Sequence, residues 1–172
     1  MRTYAFKLLL VCAILCGAIR DTCADDIATV NKPSANLLVS IIRFRKILFD
    51  EFVSSNYSAS RRAILEKYHE ELALPAMREL ANLAIRNKEQ ESIREILHFV
   101  VQCDASADEE VANVGAAVFV KLPEQVEREL SAFNIRSFEI VLKALKLGVA
   151  NLGDAQAESK LDKIKNRRVT GK

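Results

Sequence analysis

Tryptophan is absent from this chain, and its 172 residues hold only five glycines, three prolines, two histidines and four cysteines. Each shortage removes something. Five scattered glycines leave no glycine-rich loop to cradle a phosphate and no Gly-x-Ser-x-Gly turn to present a serine nucleophile. So few glycines and prolines cannot punctuate the many turns of a β-sandwich. A chain that is 50% hydrophobic and 28% charged is also not a disordered tail. Two of the four cysteines, Cys12 and Cys16, stand in an apolar leader, so the remainder is not a disulfide framework.

What is present begins with an address label. Arg2 and Lys7 precede the apolar run Leu8 to Cys16, which has the length of a signal-peptide core and is too short to span a bilayer. Two cleavage sites fit. Cleavage after Ala24, directly before Asp25-Asp26, leaves Cys103 as the sole cysteine. Cleavage after Ala18 retains Cys23 and allows a Cys23–Cys103 disulfide. Residues 1–24 are therefore expected to be a signal peptide and the protein to be secreted. No later stretch is long and apolar enough to be a transmembrane anchor. After cleavage at Ala24, 22 basic residues face 22 acidic ones.

The mature chain reads as helix after helix. Ser34 is placed to cap a helix reaching Val53, with apolar stripes Leu37, Ile41, Phe44, Leu48, Phe52 and Leu38, Ile42, Phe49, Val53. So wide an apolar face predicts a central, doubly buried helix. A second helix follows from Ser58 or Ser60, and Pro75 is expected to kink or end it. Helices then run from Pro75 to Asn87 and from Glu89 to Gln102. Another is capped by Ser106 and runs to Pro123, with a strand over 116–120 as the alternative. Two more carry Val126, Leu130, Phe133 and Phe138, Val141, Leu142, Leu145, the second ending near Gly148. A last charged helix follows Gly153. The fold class is all-α, a single compact bundle of five to seven amphipathic helices. Its expected boundaries are 1–24 for the signal, 25–159 for the globular domain and 160–172 for a basic C-terminal tail. Leu80 to Arg86 and Leu130 to Arg136 echo each other, each preceded by Leu-Pro, which raises a duplicated hairpin as a reading.

Catalytic sets are missing. His69-Glu70-Glu71-Leu72-Ala73 starts like a zinc-protease helix but has Ala73 where the second histidine belongs. His98 reads as a core-edge residue. Its five-residue distance from Cys103 is a poor basis for a nucleophile–base pair. The acidic runs Glu70/Glu71, Glu89/Glu91/Glu95 and Asp108/Glu109/Glu110 read as solvated helix faces or helix starts. No catalytic residue, metal ligand or cofactor site is expected. Two features remain. Asn56-Tyr57-Ser58 is a glycosylation acceptor in a predicted turn. Lys160, Lys163, Lys165, Arg167, Arg168 and Lys172 outnumber the lone Asp162, so the tail carries +5 against −5 for residues 25–159. The tail is a candidate contact for anionic glycans, phospholipid surfaces or an acidic protein patch. Nucleic acid is not expected, because no aromatic residues interleave with these cations. Cys103 is the candidate disulfide or free thiol.

The leader Met1-Arg-Thr-Tyr-Ala-Phe-Lys-Leu-Leu-Leu10, the acidic start Asp25-Asp26 and the cysteine-poor helical body resemble the small secreted helical salivary proteins of blood-feeding insects, mosquitoes in particular. The resemblance implies a protein that acts without catalysis, by binding host factors of clotting, complement or leukocyte signalling. The expected function is thus a secreted non-enzymatic effector. The alternative is a carrier of a small apolar ligand, held between helices by residues such as Phe44, Phe49, Phe52, Leu97, Val100, Phe133, Phe138 and Leu142.

Overall fold

The computed structural model describes residues 33–103 and 108–170, the last two without their side chains. The expected signal peptide, Cys23, the Ser106 cap and Lys172 lie outside the described residues. Within them the fold is all-α: seven helices and no strand. α1 spans Ala35–Ser54. α2 has an N-terminal arm, Ala59–Tyr68, a π turn, His69–Ala73, and a C-terminal arm, Leu74–Asn87. α3 is Gln90–Gln102, α4 Glu109–Lys121, α5 Pro123–Ala132, α6 Ile135–Leu152 and α7 Ala155–Thr170. None of these helices is long and apolar enough to cross a membrane.

Local chemistry sets most of the boundaries. Ser34, Asp108, Asn134 and Asp154 each place a side-chain oxygen on an amide of the first turn that follows. Pro123 opens α5, where no amide proton is needed. Gly153, at φ 68°, closes α6 in the left-handed conformation. The cap of α4 is therefore Asp108, and the helix starts at Glu109, two residues later than a Ser106 cap would allow. Residues 116–120 are helical, so β-branched propensity yields there to burial. Gly148 does not end its helix; α6 continues to Leu152 because Gly148 serves packing.

Pro75 does not break the second helix. The chain stays helical across it by widening one turn, with the Leu74 amide donating to the His69 carbonyl five residues back. The wider turn accommodates a residue that offers no amide and whose ring crowds the preceding carbonyl. The echo between 80–86 and 130–136 has no structural counterpart. The first copy lies inside one helix, and the second crosses the break between α5 and α6.

The centre of the bundle is α3, which packs on α1, α2, α4, α5 and α6. Its Ile93, Ile96, Leu97, Phe99 and Val100 have no exposed surface. Removing side chains of this size from water stabilises by about 1.5–3 kcal/mol each. α4 and α6 form the closest pair, with Gly148 set against Ala112 and Ala116. α1 is not the central helix. It buries Leu38, Ile42, Arg45 and Leu48, then outruns the core. Phe49 and Val53 continue the line of Leu38, Ile42 and Arg45 but are 38% and 39% exposed. The N-terminal arm of α2 packs chiefly on α1 and the π turn, so this helical hairpin ends in a tip with one layer behind it.

Candidate functional site

One cluster gathers chemistry from four elements. Arg45 lies on the inward stripe of α1, His69 opens the π turn, Cys103 follows the last turn of α3 and Asp108 caps α4. Arg45 Nε donates to His69 Nδ1 at 3.0 Å. His69 Nε2 lies 2.9 Å from Asp108 Oδ2. A ring nitrogen that receives a bond from a guanidinium carries no proton, so the imidazole proton sits on Nε2 and faces the carboxylate. The other oxygen of Asp108 accepts from the Val111 amide at 3.1 Å. Phe99 floors the site, stacked on His69 at 5.9 Å and beneath the Arg45 guanidinium at 5.5 Å. One nitrogen of His69, Sγ of Cys103 and one oxygen of Asp108 lie within 4.8 Å of one another.

The electrostatics follow from burial and these bonds. The hydrogen bond from His69, helped by Val111 and the Arg45 charge, holds the Asp108 carboxyl below the ordinary carboxylate range. Burial pushes the Cys103 thiol up to about 12, with Asp108 adding to the rise and Arg45 opposing it. Both ring nitrogens of His69 are engaged elsewhere, so neither stands ready to take the thiol proton. A thiol nucleophile needs that proton removed. As arranged, the cluster is a set of ligand atoms rather than a nucleophile with its base. Arg45 is only 8% exposed, and its Nη1 is buried with no hydrogen-bond partner among the described residues.

The residues singled out in the sequence are distributed as follows. His98 is exposed on α3 and stacks on Phe133 at 4.9 Å, away from any partnership with Cys103. The histidine beside Cys103 is His69, whose protease-like motif is incomplete. Cys103 has no disulfide partner among the described residues. Asn56 is exposed in the turn between α1 and α2, at φ 54°. Lys160, Lys163 and Lys165 are exposed on α7. Lys165 lies about 140° around the helix from Lys160, so the three do not share one face. Arg167 pairs with Glu127 at 2.6 Å. Arg168 donates to the carbonyls of Ser131 and Phe133 at 2.8 and 2.6 Å and lies over the Phe138 ring. It thereby satisfies carbonyls at the end of α5. The boundary drawn at 160 falls inside α7, one helix with a buried stripe of Ala157, Leu161 and Ile164. Of the residues named for a ligand cavity, Leu97 and Val100 are fully buried, whereas Phe49 faces solvent.

Glu95 departs from the solvated face expected of its acidic run, and Glu129, which belongs to none of those runs, is buried as well. Glu95, 9% exposed, takes two bonds from Arg43 at 2.5 and 3.1 Å, joining α3 to α1. Glu129, 4% exposed, takes Arg94 at 2.7 and 3.2 Å and Gln90 at 2.7 Å, joining α5 to α3. The Arg94 bonds, ahead of that from Gln90, hold the Glu129 carboxyl below its ordinary range against its burial. A carboxyl shifted downward by folding contributes stability that is complete above its unfolded value and fades as pH falls through its folded one. Glu129→Gln is expected to lower stability at neutral pH and to flatten its decline between about pH 5 and pH 2. Urea unfolding across that range checks this; an unchanged slope would contradict it.

Comparison with protein-family models, with curated proteins and with solved structures finds no match for this chain.

Proposed function

We propose that this chain is a secreted, non-enzymatic binding protein that engages a protein partner through the tip formed by α1 and the first arm of α2. The observation that carries the binding surface is the run of apolar side chains left uncovered there. Phe49, Val53, Ile64 and Tyr57 are between 38% and 64% exposed. Phe49, Phe52 and Tyr57 form a ladder of rings at centroid distances of 6.5 and 5.2 Å. Aromatic side chains on a firm helical support are the usual anchors of protein–protein contacts. Secretion rests on the leader at 1–24. A glycan on Asn56 would sit in the turn at the edge of this surface. The resemblance to salivary proteins makes a host leukocyte, complement or clotting component the partner to seek.

The test uses protein secreted from insect cells as bait for plasma and leukocyte proteins. A partner held by the wild type is expected to be lost, by at least tenfold in affinity, in Phe49→Asp/Val53→Asp, since each charge would be buried unpaired at the contact. Both positions are exposed, so circular dichroism should show the helical content unchanged. Equal binding by the double variant would rule out the tip as the contact. Native mass spectrometry of the same sample reports cleavage site and glycan. A small molecule released on denaturation would favour the carrier function instead.

A further inference from the structure

We propose that His69, Cys103 and Asp108 form a binding site for a zinc-class transition-metal dication, with Arg45 as a built-in competitor of the metal. The three ligand atoms differ in kind: imidazole nitrogen, thiol sulfur and carboxylate oxygen. That mixed set suits zinc and its neighbours rather than calcium or magnesium, which take oxygen ligands. Three protein ligands leave a fourth tetrahedral position open.

The positions are held independently. The π turn presents His69, and Phe99 stacks on its ring. Cys103 ends α3, its amide bonded to the Phe99 carbonyl at 3.0 Å. Asp108 is anchored by the Val111 amide through one oxygen, leaving the other for the site. Nitrogen and oxygen are 2.9 Å apart in the metal-free hydrogen bond. Metal bonds of about 2.0–2.2 Å at a tetrahedral centre would place them about 3.4 Å apart. Sulfur is already within 4.8 Å of one ring nitrogen of His69 and one carboxylate oxygen of Asp108. Small side-chain movements therefore suffice.

Proton and charge balance define the competitor's part. The dication displaces the thiol proton, which leaves to solvent. It also takes the place of the Nε2 proton, which moves to Nδ1 of the same ring. Nδ1 then donates, so the Arg45 Nε–H that now points at it must turn away. A metal-bound histidine ordinarily gives its second N–H to an acceptor, and here a donor occupies that place. The thiolate and carboxylate neutralise the dication, while the buried Arg45 charge remains beside it. Arg45 thus opposes the metal through both its hydrogen bond and its charge.

Cobalt(II) is the probe, added to the full secreted chain kept reduced. The expected result is one equivalent bound, with the near-ultraviolet thiolate-to-cobalt band and the visible bands of a tetrahedral site, bleached by zinc. Arg45→Met should bind at least tenfold more tightly. Asp108→Asn keeps the helix cap and should bind at least tenfold more weakly. Cys103→Ser should lose the thiolate band. The proposal is overturned if folded wild type and Arg45→Met both show no band at millimolar cobalt, or if His69→Gln gives the wild-type spectrum and affinity. Should Arg45→Met not fold, the wild type and His69→Gln decide the outcome between them.

Discussion

Gly148→Ala is expected to lower stability by about 3 kcal/mol, the upper part of the usual range for overpacking a filled core. The added Cβ would lie 2.6 Å from the Ala116 Cβ and closer still to the Ala112 carbonyl. Neither neighbour can rotate aside, because one is backbone and the other is a methyl attached directly to it. α4 and α6 would have to separate, loosening Val141, Leu145 and Val149, which are now fully buried. Gly153 supplies the control. It has φ 68° and nothing within 4 Å of an added Cβ, so Gly153→Ala meets only left-handed backbone strain, about 1–2 kcal/mol. Thermal unfolding should place Gly148→Ala about 10 °C below the wild type for a domain of this size. If Gly148→Ala melts with or above Gly153→Ala, the two helices do not approach as closely as described.

That pair of glycines shows which parts of the fold are legible in the sequence. Periodicity and caps mark the existence of the helices, because both are properties of neighbouring residues. Whether a glycine ends a helix or lets another helix approach depends on what packs against it. Gly148 therefore reads as a stop while Gly153 is the stop. α1 makes the same point from its apolar residues. Two apolar stripes show that the helix has a buried face, but not that Phe49 and Val53 lie beyond the end of the core. The cluster around His69 is further out of reach, since its members come from four elements and no local spacing joins them. One signal was present. Arg45 sits on the stripe of Leu38, Ile42 and Phe49, where an apolar residue belongs, and a charge on an inward stripe implies a buried partner. His69 is that partner, 24 residues away.

Leu161→Ala is expected to cost about 3 kcal/mol, within the range measured for removing a buried leucine side chain. The residue lies in the segment whose charge suggests a solvated tail, yet it has no exposed surface. Ala157, Leu161 and Ile164 form one stripe on α7, which packs on α6. Asp162 pairs with Lys146 on α6, and Arg168 secures the far end against Ser131 and Phe133. Lys160, Lys163 and Lys165 on the same helix are exposed. Replacing Lys160, Lys163 and Lys165 together by alanine should change stability by no more than about 0.5 kcal/mol per site, as for exposed residues elsewhere. Urea midpoints of the two variants test the division between packing and charge. A Leu161→Ala midpoint equal to the wild type would mean that α7 is not docked and that 160–172 behaves as a free tail. With α7 docked, the triple lysine variant removes three charges from a folded surface, so its retention on a heparin column reports anionic contact alone. Since Arg167 and Arg168 already bond to α5 and the turn that follows it, these three lysines carry the test. Loss of retention would assign glycan binding to the outer surface of α7, whereas full retention would place any such contact elsewhere on the protein.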